Sequence, residues 1–291
     1  MTAILKKELR NYFNSWIGYV FLFILVGLTG IIFSLINLLN QSTAFVNVMS
    51  YFTIFMLILM PVLTMRLFAE EARQKTDQLI FTSPVTVAGI VAAKFLAALI
   101  LALIGLALTF IFPLLIAPYG TLSFAPVLTA YLGYILLIAA FIAVGVFISV
   151  LTDNQIIAAV GTFVVMLVFY IMDWIASGLS SGPAASATAS IIFIAALLAL
   201  LAYLIYNSTK NIYAASLLPL ILLAVVVALY VARPAVFDGL IVKVIRWFSI
   251  MDRFNSFNNG VINIADIVYY ITFTIAFLYF SVNAIEKRRW A

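Results

Sequence analysis

The 291 residues include no cysteine and no histidine. Without cysteine there is no disulfide, no thiolate nucleophile and no thiolate-held metal. Without histidine the commonest general base and the commonest metal ligand are both gone. Charge is nearly as scarce. The 15 Lys and Arg with 10 Asp and Glu make up 9% of the chain, against about 25% in an ordinary soluble domain. That is too little to give a soluble protein of this size its polar shell. None of the 13 glycines is followed by lysine, so no GxxxxGK[ST] phosphate loop exists and the chain does not hydrolyse ATP by that route. HExxH and GxSxG are missing as well. Acids at membrane depth are few, whereas an ion-coupled carrier places carboxylates near the midplane between broken helices.

What is present is apolar: 67% of residues are hydrophobic and the mean hydropathy is +1.26. A bilayer core about 30 Å thick takes roughly 20 apolar residues in a helix. Eight segments meet or approach that length, at about 16–38, 49–66, 95–117, 127–151, 155–176, 189–206, 212–232 and 266–284. Unpaired backbone is not tolerated in lipid, and these uninterrupted runs exclude alternating barrel strands. An all-α polytopic membrane protein with about eight transmembrane helices is therefore expected, as one transmembrane domain over 1–291. The first segment is too long for a secretory signal and ends in no small-x-small cleavage site. The sixth and seventh segments flank a short turn, Asn207 to Asn211, and read as a hairpin over 189–232.

Orientation follows from the cations. With the N-terminus inside, the cytoplasmic side receives Lys6, Lys7, Arg10, Arg66, Arg73, Lys75, Lys94, Lys210, Lys287, Arg288 and Arg289. The outside receives Arg233, Lys243, Arg246 and Arg253. Eleven against four satisfies the positive-inside rule, with both termini cytoplasmic. The net charge of +5 thus points to topology and membrane lipids, not to nucleic acid.

Three polar stretches interrupt the apolar chain. In residues 1–15, Ile4, Leu5, Leu9, Tyr12 and Phe13 fall on one helical face and Lys6, Lys7 and Arg10 on the other, as in a helix lying at the membrane surface. A plain basic flank orienting the first span is the other reading. In the 66–94 loop, Glu70, Glu71, Arg73, Lys75 and Asp77 crowd together. Glu71 and Lys75 stand at the i,i+4 spacing of a helical ion pair. The helix is expected to run to Thr82-Ser83-Pro84, where Pro84 restricts Ser83 and ends it. Such a helix suits the docking of a soluble partner; a solvated connector is the alternative. The 233–265 segment carries Lys243, Arg246 and Trp247 in an amphipathic pattern and reads as an outer interfacial or re-entrant helix, a loop lying on the membrane being the other reading. Two acids stand apart from these stretches. Asp173, beside Trp174, is a possible intramembrane polar group near the outer end of the fifth span. Asp153 opens the turn before that span and is expected to cap it.

The series Arg66, Ala69-Glu70-Glu71, Arg73, Thr76, Leu79, Thr82-Ser83-Pro84-Val85 and Lys94 resembles the signature loop of ABC-2-type permeases. The run Asp252-Arg253-Phe254 through Asn258-Asn259-Gly260, with the tail Glu286-Lys287-Arg288-Arg289-Trp290, is similar to the Gld-type, gliding-motility-associated members. Lys75 stands where the family usually has glycine, and Gln78 where it usually has an acid. The resemblance implies a six-span core, to which the 189–232 hairpin is an addition. It also implies that 1–15 is the interfacial connecting helix and that Glu70 to Thr82 is a coupling helix seated on a cytoplasmic ATPase.

The expected function is the membrane-spanning permease subunit of an ATP-driven exporter in a bacterial plasma (inner) membrane. No catalytic, metal or cofactor site is expected in the chain. ATP and Mg belong to a partner ATPase, present in two copies, alongside a second permease copy or related permease and an accessory membrane subunit of the Gld type. The ATPase-coupling residues are Glu70, Glu71, Arg73, Thr76, Ser83 and Pro84, with Lys6, Lys7 and Arg10 holding the interfacial helix. An ATP-independent secondary carrier and a non-transporting anchor that recruits and regulates an ATPase are the alternatives.

Overall fold

The architecture comes from a computed structural model that describes residues 1–76, 85–119, 123–178, 193, 194, 198, 230 and 240–290. Every element among them is helical. In chain order these are α1 (Thr2–Asn14), α2 (Trp16–Phe33, continued by a π-helical turn, Ser34–Leu38), α3 (Phe45–Thr64) and α4 (Ala69–Gln74). They are followed by α5 (Val87–Thr109), α6 (Ile111–Ile116), α7 (Phe124–Leu151) and α8 (Gln155–Gly178). The last three are α9 (Leu240–Phe248), α10 (Ile250–Asn258) and α11 (Ile264–Trp290).

Six helical stretches among the described residues are long and apolar enough to cross a membrane: Trp16–Leu38, Phe45–Gln74, Val87–Tyr119, Phe124–Leu151, Gln155–Gly178 and Ile264–Arg288. They correspond to the six segments expected outside the 189–232 hairpin. That hairpin lies almost wholly outside the described residues, so the count of eight and the hairpin's structure are not part of the fold seen here. The ends differ by a few residues in most spans, and of the starts that of α5 differs furthest. α5 starts at Val87, not near residue 95, because Thr86 caps it by accepting a hydrogen bond from the Gly89 amide at 3.2 Å. The helix then runs straight through Lys94, whose charge is neutralised by neighbours and so does not end the span.

The chain divides into two compact units, residues 1–168 with 253–291, and residues 169–252. In the first, α7 is the central helix. It packs against α3, α5 and α11, and Tyr134, Leu137, Ile138, Phe141 and Ile142 are fully buried along it. Lipid tails are as apolar as leucine, so close helix contact in a membrane relies on small residues and shape. Gly145 shows this: a Cβ there would lie 2.1 Å from Thr64 Oγ1, so α3 and α7 touch only because the side chain is absent. On α5, Ala93, Ala97, Ala98 and Ala102 are buried, and Gly105 faces Leu22 and Leu25 of α2.

The two ends of this unit differ. α1, α4, the start of α5, the C-terminal end of α7 and the last turns of α11 share one end; there Arg288 Nη2 donates to Asp153 Oδ1 at 3.0 Å. Asp153 therefore does not cap α8. Its neighbour Asn154 does, its side-chain oxygen accepting from the Ile156 and Ile157 amides at 2.9 and 3.4 Å. At the opposite end, Arg253 of α10 pairs with Asp266 of α11 at 2.7 Å.

In the second unit, Asp173 is partly exposed, its carbonyl accepting from the Ser177 hydroxyl at 2.8 Å, and Trp174 beside it is exposed. α9 presents Lys243 and Arg246 to the surface, with Trp247 set edge-on to Phe248. Ser249 then caps α10 by accepting from the Asp252 amide.

Candidate functional site

α1 ends at Ser15, whose extended backbone turns the chain into α2. The bend is tight enough that Gly18 sits on the Tyr12 carbonyl, where a Cβ would come within 2.4 Å of the oxygen. The face that α1 turns inward carries Glu8 and Tyr12, one helical turn apart and both buried. Ile4, Leu5, Leu9 and Phe13 are only half-buried beside them. The stripe expected to be apolar thus has an acid at its centre. Tyr12 donates its hydroxyl to the Leu63 carbonyl at 3.2 Å, tying α1 to the end of α3. Burial, with the negative charge of Glu8, pushes the Tyr12 phenol far above its ordinary pKa and keeps it a donor.

α4 is a single helical turn and a half with no side-chain cap of its own. Its first amides are satisfied from α7: Ser149 Oγ accepts from the Phe68 and Ala69 amides, both at 3.1 Å, and donates to the Met65 carbonyl at 3.3 Å. The helix stops at Lys75, which takes a left-handed conformation (φ 58°, ψ 21°). Lys75 N–H then bonds to the Ala72 carbonyl and Thr76 N–H to the Glu71 carbonyl, the paired bonds of a Schellman stop. α4 therefore ends well before Thr82, and Lys75 forms no ion pair with Glu71. The backbone turns too early for the i,i+4 geometry to form.

Glu71 has two other partners. Lys7 of α1 donates to its Oε1 at 3.0 Å, and Lys94 of α5 pairs with its Oε2 at 2.8 Å. Lys94 also donates to Glu8 Oε1 at 3.1 Å and to the Leu67 carbonyl, and its ammonium lies 4.9 Å from the Phe68 ring centroid. Lys7 completes the ring at 3.8 Å from Glu8. Two cations and two anions alternate, so the group is electrically neutral although Lys94 is only 1% exposed. Helix geometry explains the reach: side chains tilt toward their own N-terminus, and the N-terminus of α5 lies at the end where α1 and α4 meet. For Lys7, burial alone would lower the pKa, but the hydrogen bond and charge of Glu71 and the charge of Glu8 outweigh it and leave the ammonium raised.

The remaining expected residues fall around this cluster. Glu70 lines a cleft of about 520 Å³ beside it and accepts from Gln74 at 3.5 Å. Arg73 is exposed, and exposed Thr76 donates its hydroxyl to the Glu71 carbonyl. Lys6 and Arg10 are exposed on the outer face of α1, away from Lys7's partners. Ser83 and Pro84 lie outside the described residues. Asp173 belongs to the other unit. The sequence reading passed over Glu8, Ser149 and Lys94 as site residues. A lysine set among Ala93, Ala97 and Ala98 was the available signal, since a charge in a small-residue helix face needs a partner.

Among the described residues no His, Cys, Asp and Glu group is arranged to hold a metal. Neither the curated proteins nor the solved structures contain a match to the chain. The family model described as ABC-2 family transporter protein does match, over residues 4–209, well over half of the chain and including the whole charge cluster. The chain belongs to the ABC-2 transporter family, as a multi-pass membrane permease of an ABC transporter.

Proposed function

We propose that this permease couples ATP hydrolysis in a separate ATPase subunit to outward movement of a substrate, with α4 and the loop after it as the docking element. The observation that carries this reading is the charge cluster. Glu71 on α4 is bound at once to α1 through Lys7 and to the membrane-crossing α5 through Lys94. A push on α4 is therefore delivered to a surface helix and to a span through contacts that do not stretch far before breaking. Arg73, Thr76, Ser83 and Pro84 would meet the ATPase, with Glu70 and Glu71 on the cleft side of α4, while Lys6 and Arg10 would hold α1 to anionic lipid or to that partner.

The placement of charge agrees. Lys6, Lys7, Arg10, Arg66, Arg73, Lys75, Lys94, Lys287 and Arg288 gather at the α1 end of the first unit, with Arg253 at the other, a bias that supports a cytoplasmic α1 end under the positive-inside rule. Drive comes from the difference in affinity of two permease states for the ATP-closed ATPase, since equal binding shifts nothing. Within the family we place the chain nearest the Gld-type permeases, working in a bacterial inner membrane. The assembly would hold two permeases and two ATPases binding ATP and Mg, with an accessory membrane subunit.

Purification of the tagged chain in mild detergent tests the reading. A P-loop ATPase should accompany it and should lose substrate-coupled hydrolysis when Glu70 and Glu71 are both changed to Lys. Transport by the permease alone in vesicles lacking any ATPase would overturn the proposal.

A further inference from the structure

The cleft of about 520 Å³ between α1 and the α3–α4 turn holds a second arrangement of charge. Six charged side chains line it: Lys7, Glu8, Arg66, Glu70, Glu71 and Lys94. Four of them neutralise one another in the cluster. The other two, Arg66 and Glu70, make no ion pair among the described residues, with each other or with any neighbour. They leave one cation and one anion on the same wall. The Arg66 Nε is buried and without a hydrogen-bond partner, and the contact to Glu70 is the long one from Gln74. A buried donor with no acceptor loses its hydration without replacement, so such groups usually mark a missing partner.

The depth of the cleft narrows the kind of partner. Ile17 lines it, between Trp16 and Tyr19, which are 86% and 60% exposed. Trp and Tyr on an outward face mark the headgroup level of a bilayer. Val20 and Ile24, on the same helical face as Ile17, are exposed apolar residues and continue that face along α2 into the membrane. A ligand with a charged head in the cleft and apolar chains along this face fits the whole surface.

We infer that the cleft binds the headgroup of a zwitterionic phospholipid carrying a primary ammonium, its phosphodiester on Arg66 and its ammonium on Glu70. A guanidinium with uncommitted donors takes a phosphate in the bidentate manner. A carboxylate takes an ammonium that donates hydrogen bonds better than a quaternary one that does not. Such a lipid would sit beside Lys7 and Glu71 and would steady α1 against α4. The inference goes beyond the ATPase reading and does not depend on it.

The test uses the full-length chain alone, without any ATPase. Native mass spectrometry would compare phosphatidylethanolamine, phosphatidylcholine and phosphatidylglycerol offered at equal concentration, with inorganic phosphate and O-phosphoethanolamine as soluble controls. Retention of phosphatidylethanolamine should exceed that of the other two by about tenfold, the ratio given by one well-made polar contact. Arg66→Gln should lower retention of all three lipids, and Glu70→Gln should remove only the preference among them. Melting temperatures in detergent report whether each variant is folded. Should Arg66→Gln fail that check, Arg66→Lys, which keeps the charge and loses the fork, should still bind more weakly. Equal retention of the three lipids by the wild type would overturn the inference. So would unchanged lipid selectivity in folded Glu70→Gln, or displacement of bound lipid by either soluble control at equal concentration.

Discussion

Lys94 and Glu71 meet at 2.8 Å, joining a membrane-crossing helix to the short helix that precedes it in the chain. Lys94 is buried, so its charge is supported by protein groups and not by water. Removing one partner of a buried pair leaves the other charge uncompensated, a loss of about 3–5 kcal/mol. Lys94→Ala is therefore expected to lower the detergent melting temperature sharply, since Glu8 and Glu71 would then keep only half-exposed Lys7 between them. Glu71→Gln alone should be milder. In the double variant the two effects should fall short of additive by about 0.5–3 kcal/mol, as for groups in one network. Strict additivity of the two melting-temperature changes would show that the pair does not act as a unit.

Lys75 gives a prediction of the opposite sign. It holds φ at 58° to close the α4 stop, a conformation that disfavours a side chain by about 1–2 kcal/mol and suits glycine. Lys75→Gly should therefore stabilise the stop by about 1 kcal/mol, whereas Lys75→Val should weaken it. Hydrogen exchange at the Lys75 and Thr76 amides, which bond to Ala72 and Glu71, reads the change directly. Slower exchange in the glycine variant is the expected result, and faster exchange would show that the lysine side chain itself contributes to the stop.

The two kinds of feature differed in how far the sequence disclosed them. A span is written in a run of neighbouring residues, so α2, α3, α5, α7, α8 and α11 were visible as apolar stretches with errors only at their ends. The largest error, at the start of α5, arose because hydropathy treats a lysine as the edge of a span, while the fold buries Lys94 and neutralises it. Partners of charges are set by tertiary contact. Glu71 had an obvious local candidate in Lys75, yet its partners lie on α1 and α5. The α4 cap is likewise supplied by Ser149, 80 residues further along the chain than the Ala69 amide it accepts from. Even where the local reading was close, as at Asp153 and Asn154, adjacent residues exchanged roles: the acid found Arg288 and left the cap to its neighbour.

The raised pKa of Lys7 predicts how the α1–α4 contact responds to alkali. A group whose pKa is raised by folding contributes its stability in full below its unfolded value, here 10.5, and loses it as pH climbs through the higher folded value. The difference in melting temperature between wild type and Lys7→Gln should thus be constant from neutral pH to about pH 10 and shrink above it. Because the side chain is half exposed, the difference should be small, under about 1 kcal/mol, and reduced by salt. A difference that grew with pH above 10 would mean that the ammonium opposes the folded arrangement.

At the other end of the same unit, Arg253 and Asp266 form a pair whose members are not equivalent. The Asp266 side chain is 2% exposed and that of Arg253 22% exposed, so only the arginine can recover water if its partner goes. Asp266 also lies in the first turn of α11, where the helix dipole adds a modest favourable field but no substitute for a cation. Arg253→Gln should therefore be the more harmful change, leaving a buried carboxylate with one fewer donor and removing the guanidinium that lies 5.5 Å from the Tyr269 ring centroid. Asp266→Asn removes the charge that most needs a partner and should be tolerated better, by about 1–2 kcal/mol. Arg253→Lys should fall nearer to Arg253→Gln than to wild type, since a lysine restores charge without the planar fork. Melting temperatures of the three variants in one detergent decide the order, and Asp266→Asn proving the least stable of them would place the stabilisation in contacts of the aspartate other than Arg253.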